Sequence, residues 1–164
     1  MEKVTVYLSL GSNIEDRSEY LKTALDRIRE LAGPITGTSS VYESEPWGFH
    51  AETPFLNQVA MVQTVIGAGE LMDIFLSIEE DMGRVRNEKG YASRKIDIDI
   101  LLYDAQVISE PGLKIPHPRM HERRFVLEPL AEIAPGLVHP VFGTTMEQLL
   151  DKCSDPCWVR LYKE

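Results

Sequence analysis

Hydrophobic and polar residues alternate at the start of the chain: Val4, Val6, Leu8 and Leu10 are interleaved with Thr5, Tyr7 and Ser9. A period of two predicts a strand with one face toward a core, closed by the turn Gly11-Ser12-Asn13. The period then lengthens. Leu21, Ala24, Leu25, Ile28 and Leu31 form one helical stripe, with Asp16 placed to cap its start, Glu19 three residues on, and Gly33-Pro34 placed to end it. Two β-rich stretches follow, at 35–43 and 55–66, separated by a polar, proline-containing loop at 44–54. A second stripe, Leu71, Ile74, Phe75 and Ile78, predicts a helix that begins near residue 69 and stops at Gly83. A charged loop over 84–95 leads to a strand at 96–103.

The order β-α-β-β-α-β predicts an α+β, ferredoxin-like core, an antiparallel sheet with both helices on one face. Past it, a C-terminal extension reads as a short strand, a bend at Pro116 and Pro118, a helix at 123–133, another at 145–153 and a strand at 159–162. No linker or repeat sets this extension apart, so it is expected to pack on the same core. A length of 164 residues suits one domain, 1–164. Composition changes the picture only by exclusion. The net charge of −9 argues against a sequence-independent grip on nucleic acid or anionic lipid, and no apolar run nears the length of a membrane span. Cys153 and Cys157 match no common zinc or redox spacing and read as reduced thiols in a cytoplasmic protein.

The strand at 96–103 carries the sharpest chemical signal. Ile96, Ile98, Ile100 and Leu102 are expected on one face, which places Asp97 and Asp99 together on the other, about 6.6 Å apart along the strand. Acids are poor strand formers, and like charges side by side repel unless a cation intervenes. Paired carboxylates with no nearby cysteine suit a hard ion such as Mg²⁺, whose remaining positions phosphates and water would fill; the alternative is a solvated outer face. The neighbouring charges favour the first reading. Arg84, Arg86, Lys89, Arg94 and Lys95 face only Glu88 between 84 and 95, and Lys114, Arg119, Arg123 and Arg124 follow. Basic groups gathered around paired acids fit a metal–polyphosphate complex.

No Walker-type loop, dinucleotide fingerprint, kinase signature, zinc-protease helix or serine elbow is present. Of four histidines, His117, between prolines and close to the basic cluster, is the one to place near phosphate; equally, a lone histidine fits a structural role. Trp47, Gly48 and Phe49 in the loop, with Phe55 and Asn57 opening the next strand, suit a flat, nitrogen-rich heterocycle held between rings and read by an amide; equally, Trp47 and Phe55 fit a core.

Taken in order, Gly11-Ser12-Asn13, Tyr42-Glu43-Ser44-Glu45-Pro46-Trp47-Gly48, Phe55-Leu56-Asn57, Ile78-Glu79, Gly83-Arg84-Val85-Arg86, Tyr91-Ala92-Ser93-Arg94-Lys95-Ile96-Asp97-Ile98-Asp99-Ile100, Pro116-His117-Pro118 and Arg123-Arg124-Phe125 resemble the 6-hydroxymethyl-7,8-dihydropterin pyrophosphokinase family of folate biosynthesis. The resemblance implies transfer of the β,γ-pyrophosphate of ATP to the hydroxymethyl oxygen of the pterin, releasing AMP. It implies two Mg²⁺ ions on Asp97 and Asp99, and Arg84 and Arg94 as catalytic residues beside them. The ATP site would comprise Glu79, Arg84, Arg86, Arg94, Ile100, His117 and Arg123; the pterin site, Ser44, Glu45, Trp47, Phe55, Asn57, Tyr91 and Phe125. Association with other folate-pathway enzymes is compatible with the resemblance but is not given by the sequence. This chain departs from the family pattern at Pro118, Ala92-Ser93 and Trp47. The alternatives are another metal-dependent nucleotidyltransferase or phosphohydrolase, and a non-catalytic metabolite-binding module.

Overall fold

The computed structural model describes residues 2–14, 16–45, 53–83 and 95–163. The first strand, β1 (Val4–Ser12), is followed by α1 (Arg17–Leu31), β2 (Ile35–Thr38), β3 (Tyr42–Ser44), β4 (Phe55–Thr64), α2 (Ala68–Asp81) and β5 (Asp97–Tyr103). A hairpin of β6 (Ile108–Glu110) and β7 (Leu113–Ile115), a 3-10 turn at Met120–Glu122, α3 (Arg124–Ile133), α4 (Met146–Lys152) and β8 (Val159–Leu161) complete the order. Antiparallel pairing runs β5-β1-β4-β3-β8, with β2 also on β4. With β2 and β3 taken as one broken strand, this is the ferredoxin-like arrangement expected from the sequence.

The alternation in β1 does what it predicts. Val6, Leu8 and Leu10 point into a cluster with Leu21, Ala24 and Ile28 of α1 and Leu71, Phe75 and Ile78 of α2, all essentially buried. Burial of such side chains contributes roughly 1.5–3 kcal/mol each. α1 ends where β4 passes beneath it. Gly33 has φ +150°, and a Cβ there would collide with the Gln63 carbonyl oxygen, so the approach of helix to strand requires glycine.

Several local expectations differ from what forms. β1 runs on through Gly11 and Ser12, paired with Asn57 and Leu56 of β4, where a turn is expected, and Leu31, the last member of the α1 stripe, is exposed. Asp16 stands at the start of α1 but makes no side-chain cap bond; its backbone carbonyl accepts from Tyr20 instead. The 35–43 stretch breaks at 39–41, because the buried Ser39 hydroxyl accepts the Val59 N–H in place of a strand carbonyl. In β5 the register shifts opposite Tyr7 and Leu8, so Leu101 is an extra residue in the ladder. Ile96, Ile98 and Ile100 share the α1/α2 core, but Leu102 is thrown onto the opposite face beside Leu101. Finally, the extension does not enlarge the first core. It builds a second one on that opposite face, where Met120, Val126, Leu127, Leu130, Met146 and Leu149 pack on Tyr7, Val59, Leu101 and Leu102. A true capping box does form in the extension, between Thr145 and Gln148.

Cys153 and Cys157 are free thiols. Among the described residues no helix is long and apolar enough to cross a membrane.

Candidate active site

Asp97 and Asp99 lie on the face of the sheet that α3 and α4 cover further along, where β5 turns from acid to leucine. Short of that cover the face is open. Asp97 stands opposite Gly11 and Asp99 opposite Ser9 on β1, and Gly11 in turn stands opposite Asn57 on β4. A cleft formed there is lined by Ser9, Gly11, Ser44, Glu45, Phe55, Asn57, Asp97, Asp99, Arg123 and Phe125. Gly11 is the gap between its acidic and amide halves. A Cβ at this position would meet Asn57 Oδ1 at 3.5 Å and Phe55 Cδ1 at 3.7 Å, filling the floor.

On the amide side Asn57 is 2% exposed, and its Nδ2 donates to Ser44 Oγ at 2.7 Å. One Nδ2 proton is committed there, which orients the amide and leaves donor and acceptor capacity for a bound heterocycle. Phe55 and Phe125, both half-buried, supply aromatic surface on two walls. Glu45 reaches the cleft while its Oε1 accepts the Trp158 N–H at 2.8 Å.

On the acidic side Arg123 comes from the entry to α3. Its burial pulls the guanidinium pKa below the ordinary arginine value, Asp99 and Asp97 oppose that shift, and Arg119 adds to it. A partly desolvated cation facing two carboxylates is prepared to exchange them for phosphate oxygens. Among the described residues no group of three His, Cys, Asp or Glu is arranged to hold a metal ion. A cation between Asp97 and Asp99 would therefore take its other ligands from a substrate or from water, as Mg²⁺ commonly does.

The fold thus brings together Asp97, Asp99, Arg123, Ser44, Glu45, Phe55, Asn57 and Phe125 of the residues expected from sequence. It does not bring Glu79, Ile100 or His117 to the cleft lining. Glu79 is buried on α2, and its carboxylate accepts the N–H of Ile98 at 2.8 Å on the outer edge of β5. The Ile100 side chain is in the α1/α2 core. His117 lines a separate hollow with His121, His139 and Phe142. Arg84, Arg86, Arg94, Trp47 and Tyr91, with most of the 84–95 loop, lie outside the described residues. Ser9 and Gly11 were not singled out as site residues from the sequence. The available signal was the polar phase of β1, since Ser9 sits on the same face as Asp99.

His117 nonetheless feels the basic cluster. Burial, then the charges of Arg123 and Arg119, lower its pKa to about 4, and its Nδ1 accepts the Arg119 N–H at 3.1 Å. A neutral folded histidine has a signed consequence. Between pH 6.5, where the unfolded histidine takes a proton, and about 4, where the folded one does, the unfolded chain binds more protons, so stability falls as pH falls through that window. Thermal unfolding should show this slope, and His117→Gln should flatten it. An unchanged slope would remove His117 from the account.

Comparison with known proteins adds the identity of the scaffold. A family model described as 7,8-dihydro-6-hydroxymethylpterin-pyrophosphokinase (HPPK) matches residues 7–135. A protein of Porphyromonas gingivalis named 2-amino-4-hydroxy-6-hydroxymethyldihydropteridine pyrophosphokinase is 42% identical over 138 residues, 82% of this chain and 93% of that one. A protein of the same name from Aquifex aeolicus is 40% identical over 144 residues, 88% and 89% of the two chains. The solved HPPK-DHPS of Plasmodium falciparum has a TM-score of 0.78 at 19% identity, covering 92% of this chain. That likeness concerns the fold, and this chain spans 44% of that longer one. The family match over residues 7–135 and the two bacterial relatives agree, and the chain belongs to the 7,8-dihydro-6-hydroxymethylpterin-pyrophosphokinase family.

Proposed function

We propose that the chain, as one pyrophosphokinase domain over residues 1–164, transfers the β,γ-pyrophosphate of ATP to the hydroxymethyl oxygen of 6-hydroxymethyl-7,8-dihydropterin and releases AMP, a step of folate biosynthesis. The observation that carries this reading is that one cleft joins an acid pair and a half-buried arginine to an amide-and-aromatic slot, with Gly11 between them. Phosphate chemistry and heterocycle recognition then meet within one substrate's reach.

The carboxylates of Asp97 and Asp99 are an oxygen-only donor pair that fits Mg²⁺, and in this reading they hold two ions with the triphosphate. When bound, Mg²⁺ neutralises phosphate charge and polarises the phosphoryl oxygens. Arg123 contributes fixed positive charge at the same edge, which favours the negative charge that builds up as the β-phosphorus changes partners. Asn57, held by Ser44, and the rings of Phe55 and Phe125 orient the pterin so that its hydroxymethyl oxygen faces that phosphorus. Arg84, Arg86 and Arg94 on the phosphates, and Trp47 and Tyr91 beside the pterin, belong to the same reading on the strength of the motifs that contain them. A cytoplasmic location fits two free thiols. Association with other folate-pathway enzymes fits solved HPPK domains that share a chain with DHPS.

Binding measurements separate the two halves of the cleft. Leaving a buried polar partner unpaired costs about 1–3 kcal/mol, so Asn57→Ala, which orphans Ser44, should weaken pterin binding roughly tenfold or more. Affinity for a nonhydrolysable ATP analogue should stay within about twofold. Calorimetric titrations with equal losses for both ligands would place Asn57 in the scaffold and leave the slot unassigned.

A further inference from the structure

The helix that brings Arg123 and Phe125 to the cleft has no cap of its own. Arg123 occupies the N-cap position in extended conformation, and an arginine side chain offers no acceptor. Pro129, inside α3, cannot donate to the Phe125 carbonyl, so the first turn also lacks a bond of its own ladder. The missing acceptor is supplied from far along the chain. Asp155 is 8% exposed; its Oδ2 accepts the Arg124 N–H at 3.0 Å and its Oδ1 the Cys157 N–H at 2.9 Å. Arg124 points away from the cleft and grips the same segment, donating to the carbonyls of Cys153 at 2.9 Å and Asp155 at 3.3 Å.

From there the segment runs to the other wall. Trp158 exchanges two hydrogen bonds with Glu45, and β8 pairs with β3 so that Val159 stands opposite Ser44. The far end of α3 is fixed independently, by Glu132 accepting from Ser40 and Tyr42. Residues 153–161 therefore form a strap that ties the start of α3, on one side of the slot, to Ser44 and Glu45 on the other. The strap lies wholly beyond residue 135, where the family match ends.

We propose that Asp155 is a positioning residue for the pterin slot: by capping α3 it fixes Phe125 relative to Ser44, Glu45 and Asn57, and so sets the width of the slot. The proposal rests on the reading of the cleft given above. Arg123 is less dependent on the cap than Phe125. Its own N–H donates to Met120 O at 3.3 Å in the preceding 3-10 turn, so it is anchored from upstream, whereas Phe125 sits within the turn that the cap holds.

The experiment uses the full chain carrying Asp155→Ala or Asp155→Asn, both assayed well below their measured Tm. Loss of a cap of this kind should raise the pterin Kd and KM about tenfold in Asp155→Ala, with the Kd of a nonhydrolysable ATP analogue within about twofold of wild type. Asp155→Asn keeps one acceptor oxygen, so it should recover part of the loss; it also serves as the test if the alanine variant fails to fold. Equal losses for the two ligands would assign Asp155 to general stability and overturn the proposal. Unchanged pterin affinity in a folded Asp155→Asn or Asp155→Ala variant would also overturn it. Wild-type turnover, measured alongside, reports on the activity itself, so failure of the strap and failure of the assigned reaction give different results.

Discussion

Replacing Asp97 or Asp99 by asparagine is expected to reduce turnover on the order of 10³-fold while the fold survives. The amide keeps the shape of the carboxylate but not its charge, and charge is what a hard cation and its phosphates require. Both side chains are half-buried on a strand whose other face is fully packed, with Ile96, Ile98 and Ile100 at most 4% exposed, so the substitution should not disturb the core. The backbone around them is also held twice. β1 pairs along the inner edge of β5, and Glu79 accepts the Ile98 N–H on the outer edge. Circular dichroism and a Tm within a few degrees of wild type would establish that the loss is chemical. Turnover within about tenfold of wild type in either variant would remove the acid pair from the mechanism.

Arg123→Met is expected to produce the second-largest effect, a fall in kcat of about 10²-fold with little change in pterin affinity. The guanidinium is the one cationic side chain among the cleft-lining described residues, and it faces Asp97 and Asp99. Methionine fills similar volume without charge, and Asp97 and Asp99, half-buried on the lining of the cleft, keep water as a partner when the guanidinium is gone, so the fold should survive, as circular dichroism would show. The consequence should thus fall on the reaction. Single-turnover measurements at saturating ATP and pterin isolate that step; an unchanged chemical rate with a raised ATP Kd would make Arg123 a ground-state binding group only.

How much of this was legible in the sequence depends on how local the cause is. The alternation in β1, the stripes of α1 and α2, and the shared face of Asp97 and Asp99 each follow from residues within one element, and each is present in the fold save that Leu31, at the end of the α1 stripe, is exposed. Leu102 is different. A strict period of two puts it with Ile100, but one extra residue in the ladder moves it to the other face, and nothing in the local pattern marks the bulge. The break at Ser39 is similar, since it depends on a hydroxyl finding Val59 across the sheet. The second core escaped for a related reason: α3 and α4 have ordinary apolar stripes, and a stripe does not say which face of a sheet it will cover. In the site, Asn57 and the acids were visible as types. Ser9 and Gly11 were not, because their contribution comes from what stands opposite them in the register. The cap that Asp155 places on α3 acts across 31 residues, a distance over which sequence spacing carries no geometric information.

The measurement that bears most directly on the account is the identity of the nucleotide released. With ATP, Mg²⁺ and 6-hydroxymethyl-7,8-dihydropterin, the reaction should yield AMP and the pterin diphosphate in equal amounts, and AMP formation should vanish when either Mg²⁺ or the pterin is left out. Release of ADP, or release of AMP at the same rate without the pterin, would contradict it.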